Sequence, residues 1–291
     1  MLIRFFRELD YAPVSQLLNA VYRNPTRMAH LTPERLRTEY RNRGTNPHEN
    51  CVVLESPEGE LVGFCGYEPL PDGRALLDGP VLHTEFRGQG WGQRLWQEVA
   101  TLLRARGIRT VSVVLGEANG EGLDFAKRVG FAPEKTDVIV ICENSARHEI
   151  NPPDGISVSL ADNDLDLAEY EDLHASLFSR RSLAYLGVLA RADNYRIFVA
   201  RDGADLVGHL ELEFLDEVAT IEAYGVATTH RRRGIGRCLL AAALNEAWSQ
   251  PGIRLVRQIW KTSEPGFIKA YLDMGFVQKA AIHGLVRQLE G

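Results

Sequence analysis

Two short turns could do chemistry by their residue types and spacing: Arg87-x-x-Gly90-x-Gly92 and Arg231-x-x-Gly234-x-Gly236. Each follows an apolar run and opens a segment with apolar residues near helical spacing, as at Ile235, Leu239, Ala242, Ala243 and Trp248. The first turn of a helix has N–H groups without intrahelical partners and a partial positive charge, and glycines let an anion come close. The chemistry implied is recognition of a phosphate by backbone donors. Two rival phosphate turns fit worse. Gly-Lys-Ser/Thr is absent, and Gly88-x-Gly90-x-Gly92 lacks the spacing of a dinucleotide fingerprint.

The turn occurs twice, 144 residues apart, and other pairs keep nearly the same interval. Leu61-Val62-Gly63 matches Leu206-Val207-Gly208, and Gly130-Phe131 matches Gly275-Phe276. A period of half the chain indicates a duplicated domain, since solenoid repeats run roughly 20–50 residues. The polar stretch Glu143 to Gly155, with Pro-Pro and Asp-Gly, reads as the linker, giving domains 1–145 and 155–291.

The elements that position the turns recur in the same order. The first half predicts a strand over 2–6, a helix over Tyr11 to Tyr22 and a second helix from Thr32-Pro33 to about Asn42. Strands Cys51 to Glu55 and Leu61 to Glu68 follow, then the motif strand and helix. Strand Thr110 to Leu115, helix Leu123 to Val129 and strand Val138 to Cys142 complete this half. The second half predicts strand Ile156 to Leu160, helices within Leu165 to Arg191, strands Ile197 to Arg201 and Leu206 to Phe214, and the motif again. It ends with strand Leu255 to Trp260, helix Phe267 to Met274 and strands across Val277 to Gln288.

Composition is that of an ordinary globular protein, with 45% hydrophobic and 25% charged residues. A net charge of −6 argues against general nucleic-acid binding. Cys51, Cys65, Cys142 and Cys238 show no Cys-x-x-Cys spacing, so neither a metal site nor a disulfide is expected. The N-terminus meets charge too early for a signal peptide, and no run is long and apolar enough for a membrane span. A cytoplasmic monomer or homodimer is the expectation.

The repeated Arg-x-x-Gly-x-Gly turn between strand and helix, followed by a strand and a helix ending in Gly-Phe, resembles the GNAT N-acetyltransferase superfamily. The likeness covers nearly the whole chain as two tandem copies, a layout similar to that of mycothiol synthase. The fold this implies is α/β (α+β): two GNAT domains, each a mixed, mostly antiparallel sheet flanked by helices and splayed between its fourth and fifth strands. The implied cofactor is acetyl-CoA, with its pantetheine arm along Val226, Ala227 and Thr228 or along Leu82, His83 and Thr84. Its pyrophosphate would meet the backbone of Arg233, Gly234, Ile235, Gly236 and Arg237, or of Gln89, Gly90, Trp91, Gly92 and Gln93. Arg231, Arg232, Arg87 and Gly88 complete the two turns. Asn119 matches an asparagine that contacts pantetheine in the family; Glu264 stands at that place in the second half.

Acetyl transfer needs a deprotonated amine, a donor for the oxyanion and, as an aid, a proton for the departing thiolate. By the resemblance, the proton donor is the tyrosine four residues before the glycine of Gly-Phe. That is Tyr271 in the second half, where the first half has Ala126. Glu222 is the expected base, on one strand face with Tyr224 and Val226 by simple alternation, and Asp78 is its first-half match. The backbone N–H near Val226 is the oxyanion donor. His83 and His230, beside the turns, are read as packing residues, and Trp91 as packing its helix onto the sheet. The implied activity is transfer of an acetyl group from acetyl-CoA to a primary amine of a small molecule or peptide, with the C-terminal half catalytic. Three alternatives stay open: a first half that still binds acetyl-CoA, a first half active through Asp78 and a water, and a non-catalytic acyl-CoA binder or sensor.

Overall fold

The computed structural model of the chain describes residues 1–291 except 22–30, 43–44, 71, 144–145, 162–164, 179–185, 188, 262–267 and 291. Glu264 and the expected helix start at Phe267 lie outside the described residues, as do residues 179–185 and 188 within the span Leu165 to Arg191. Two compact units are found. One comprises residues 1–137 and 280–291, the other residues 138–279.

In the first unit β1 (Leu2–Phe5), β2 (Cys51–Glu55), β3 (Leu61–Pro69), β4 (Ala75–Leu82) and β5 (Thr110–Gly116) lie side by side in that order. Helices α1 (Tyr11–Val21), α2 (Pro33–Asn42) and the short α3 (Pro47–Asn50) precede β2. Helix α4 (Trp91–Ala105) links β4 to β5, and α5 (Gly120–Arg128) leads to β6 (Ala132–Cys142). The strand beside β5 is the chain's last, β12 (Val277–Gln288), paired antiparallel from Ile282↔Gly116 to Gln288↔Thr110. Helix α4 turns Leu95, Trp96, Val99, Ala100 and Leu103 into the core, the amphipathic pattern its sequence shows.

The second unit has the strand order β6-β11-β10-β9-β8-β7, with β7 (Ile156–Leu160), β8 (Tyr195–Asp202), β9 (Asp205–Leu215), β10 (Val218–Val226) and β11 (Leu255–Lys261). Its described helices are α6 (Leu167–Leu177), α7 (Ile235–Ser249) and α8 (Ile268–Asp273). Helix α7 buries Ile235, Cys238 to Leu244 and Ala247. Its alanines keep the helix close to the sheet, and each buried leucine there stabilises by roughly 1.5–3 kcal/mol.

Within each unit the hairpin-connected strands up to the motif strand pair antiparallel, and the motif strand meets the next in parallel, where the two come apart. β4 pairs in parallel with β5 only at Ala75↔Val111 and Leu76↔Ser112. β10 pairs with β11 only at Val218↔Leu255, Ala219↔Val256 and Thr220↔Arg257. Past these pairs, each motif strand continues with one edge free of its parallel neighbour. That is the splay between fourth and fifth strands, present in both units.

Candidate active site

The two turns adopt the same backbone path. Gly88 and Arg232 have φ of +72° and +62°, and Gly90 and Gly234 have φ of +83° and +89° as left-handed N-caps of α4 and α7. Neither cap offers a side-chain acceptor, and the first intrahelical bonds are Arg94 N–H to Gly90 O and Cys238 N–H to Gly234 O, both 3.2 Å. The N–H groups of 91–93 and 235–237 therefore precede the first helical bond, as an anion site requires. A Cβ at Gly88, Gly90 or Gly234 would meet nothing within 4 Å, so the front of each turn is open.

The motif arginines have a matching task. Arg87 Nε donates to Leu82 O at 3.2 Å, and Arg231 Nε donates to Val226 O at 3.0 Å. Each ties the end of the splayed strand to the turn, so the arginine holds the cradle's shape besides adding charge. Just beyond, His83 N–H donates to Val62 O (2.9 Å) and Ala227 N–H to Val207 O (2.8 Å). Strand donors alternate in direction, so the N–H groups of Leu82 and Val226 face the gap. In the first unit the gap opens into a groove of about 1440 Å³ whose lining includes Asp78, Leu82, Arg87, Gly92, Asn119 and Phe125. Asn119, which lines the groove, caps α5 through Oδ1, accepting from Gly122 N–H at 3.0 Å.

The Gly-Phe pairs close their helices identically. Phe131 N–H bonds Ala126 O (2.9 Å) and Phe276 N–H bonds Tyr271 O (3.0 Å), with Gly130 and Gly275 left-handed, a Schellman closure. This closure fixes residue 126 or 271 relative to the sheet. Tyr271 is 1% exposed, stands edge-on to Tyr224 and Phe276, and its hydroxyl has no hydrogen-bond partner among the described residues. Burial raises its pKa well above the ordinary phenol value, with Tyr224 adding to the effect, so the hydroxyl stays protonated. In the first unit the corresponding places hold Ala126 and Pro80, which carry no hydroxyl.

A family model described as the Acetyltransferase (GNAT) family matches residues 14–131 and again 162–276. The chain belongs to that family. It carries two GNAT domains. Similar solved structures include a GCN5-related N-acetyltransferase from Sphaerobacter thermophilus (TM-score 0.80, 17% identity, 100% of this chain and 96% of that one). A tandem GNAT protein from the clavulanic acid biosynthesis pathway is also similar (TM-score 0.81, 17% identity, 100% and 99%). A Bacillus subtilis (strain 168) protein, named provisionally as a ribosomal protein bS18-alanine N-acetyltransferase, is 27% identical over 88 residues. That match covers 30% of this chain and 57% of the relative's length.

Other expected site residues of this GNAT protein lie as follows. Glu222 is exposed and does not share a face with Tyr224 and Val226 by simple alternation. The register shifts between Ile221 and Ala223, so Glu222 is the extra residue of a bulge. As a result Ala219 and Ile221, and then Tyr224 and Val226, all join one core cluster. Arg233 Nη1 reaches Asp202 at 3.3 Å, and His230 Nε2 lies 3.4 Å from the same carboxylate, which competes with any phosphate for that charge. His83 is exposed, 3.8 Å from Glu85, and Arg94 stacks over Trp91 at 4.6 Å. Gln93 and Arg237 are exposed on the first turns of their helices.

Two features were not anticipated. A smaller pocket of about 140 Å³ in the first unit, lined by Tyr40, Cys51 and Glu68 among others, shares Leu77, Asp78 and Val114 with the large groove. In the second unit a buried polar group gathers Tyr170, His174, Tyr195, His209 and Glu211. The visible signals were His209-x-Glu211 inside an apolar strand and Tyr170-x-x-x-His174 on one helical face.

Proposed function

We propose that the protein is an acetyl-CoA-dependent N-acetyltransferase acting on a primary amine of a small molecule or peptide, with the second unit carrying the chemistry. The observation that carries this reading is the Tyr271 hydroxyl: buried, protonated, without a partner among the described residues, and packed on the splayed strand. Leaving a buried hydroxyl unsatisfied costs roughly 1–3 kcal/mol, so the site favours a ligand atom that completes it. The open turns supply the donors that a pyrophosphate needs. These features fit acetyl-CoA, which when bound supplies an acetyl thioester with a thiol leaving group of pKa near ~8.5.

The chain's own groups then divide the work. The N–H groups of 235–237 hold the pyrophosphate, and the free edge of β10 up to Val226 takes the pantetheine arm as an added strand. Tyr271 donates a hydrogen bond to the departing sulfur. The Val226 N–H, facing the gap, stabilises negative charge on the acetyl oxygen. Glu222, exposed at the bulge, takes the amine proton directly or through a water. The first unit binds the cofactor through 91–93 and Asn119 without a phenol at residue 126.

The test is amine-dependent release of free thiol from acetyl-CoA, run against a panel of primary amines with wild type and Tyr271→Phe. Removing a general acid typically costs roughly 10²–10⁴-fold, so the variant should be slower by that order while still binding acetyl-CoA. Equal rates would remove Tyr271 from the mechanism. No amine-dependent release by wild type would sink the acetyl-transfer reading.

A second reading is favoured by one observation, the meeting of groove and small pocket at Asp78 in the first unit. It makes that unit the catalyst, with Asp78 as base. Asp78→Asn should then abolish thiol release where Tyr271→Phe leaves it.

A further inference from the structure

We propose that His174, His209 and Glu211 form a divalent-metal site of the zinc type, which pins α6 to β9 in the second unit. The three residues come from two rigid elements. Tyr170 and His174 are four apart on α6 and share one helix face, and His209 and Glu211 alternate onto one face of β9. All are removed from solvent: His174 is 1% exposed, His209 and Glu211 are 0%. One ligand atom from each lies within 4.8 Å of the others, and His174 Nδ1 is 3.7 Å from Glu211 Oε1. Bond lengths of roughly 2.0–2.2 Å set a tetrahedral ligand edge near ~3.3 Å, so closure onto a metal needs only small side-chain movements.

The chemistry of the set points the same way. Two imidazoles and a carboxylate are the borderline nitrogen and oxygen donors that zinc prefers. An ionised carboxylate in a dry interior is costly unless charge and hydrogen bonds compensate it. The Tyr170 and Tyr195 hydroxyls both donate to Glu211, one to each oxygen, which is how outer-shell partners orient a metal-binding carboxylate. The Tyr170 hydroxyl also lies 3.3 Å from His209 Nδ1, so it touches two of the three residues. Cysteine spacing gives no hint of such a site, because no cysteine takes part.

The site bears on the sheet that carries the chemistry. Phe178, just past the end of α6, lies tilted against His174 and edge-on to His209, with ring centroids 5.0 and 5.9 Å away. A Cβ at Gly225 would lie 2.7 Å from Leu177 Cδ1 and 3.4 Å from Phe178. A metal holding His174 would therefore hold the end of α6 against β10 beside Val226. The assignment of the site does not depend on acetyl transfer.

The experiment is a cobalt titration of the full chain after dialysis against a chelator, read by visible absorption. The expected result is a ligand-field band saturating at one equivalent, displaced by Zn²⁺, and absent in His174→Ala and His209→Ala. Should those variants fail to fold, X-ray absorption of zinc-loaded wild type must show nitrogen and oxygen neighbours without sulfur. Absence of saturable cobalt or zinc binding by wild type overturns the proposal, as does a band that survives both substitutions. In either case the group is a hydrogen-bonded network alone.

Discussion

Tyr271 meets Tyr224 edge to face, with ring centroids 5.9 Å apart and planes at 81°, and its hydroxyl is buried without a partner among the described residues. An unmade buried hydrogen bond is a standing cost of roughly 1–3 kcal/mol. Tyr271→Phe keeps the ring and removes the orphaned oxygen. The ligand-free variant should therefore be more stable than wild type by about 1 kcal/mol in urea unfolding, with an unchanged m-value. Gain of stability with loss of turnover is the signature of a functional hydroxyl; loss of both would mean the oxygen has a structural partner.

The Nε bonds of Arg87 to Leu82 O and of Arg231 to Val226 O set the position of the strand end relative to the turn. Lysine keeps the charge but not the planar fork whose Nε reaches the carbonyl. A hydrogen bond from a charged group is worth roughly 1.5–3 kcal/mol. Arg231→Lys and Arg87→Lys should each weaken acetyl-CoA binding at their own turn by about tenfold or more, measured by calorimetry. Equal affinity in the lysine variants would reduce the arginines to a source of charge.

Burial raises the pKa of both Tyr224 and Tyr271. Unfolded, these phenols titrate near ~10. Below that pH both states hold the protons, and neither residue makes stability depend on pH. Above it the unfolded chain releases protons that the folded chain keeps, so stability falls as pH rises. Ultraviolet titration should show these two tyrosines ionising only together with unfolding, and the turnover profile should show no loss of the Tyr271 proton between pH 7 and about 10.

Much of the fold was readable because the same signals occur twice. The Arg-Gly turns, the Gly-Phe closures and the order of strands and helices all follow from local chemistry: glycines where φ is positive, apolar residues at helical or alternating spacing. Partner choice was less readable. Val286 and Leu285 alternate like any strand, yet nothing in their types says that β5 is the neighbour. The bulge at Glu222 was also hidden, because one extra residue reverses every later side chain without changing composition. Tyr271 was legible as a position but not its burial. His174, His209 and Glu211 were scattered over 38 residues and meet only when α6 packs on β9.

The most direct measurement is a calorimetric titration of the full chain with acetyl-CoA, repeated with Gln93→Glu and Arg237→Glu. Both positions are exposed on the first helical turn, and a new carboxylate there repels a phosphate. Gly236 is the poorer choice, since any Cβ would lie 2.5 Å from the Tyr224 hydroxyl. The expected result is two sites in wild type, with each substitution removing one and only Arg237→Glu abolishing acetyl transfer. No saturable binding, or binding that neither carboxylate disturbs, would contradict acetyl-CoA recognition at the glycine turns.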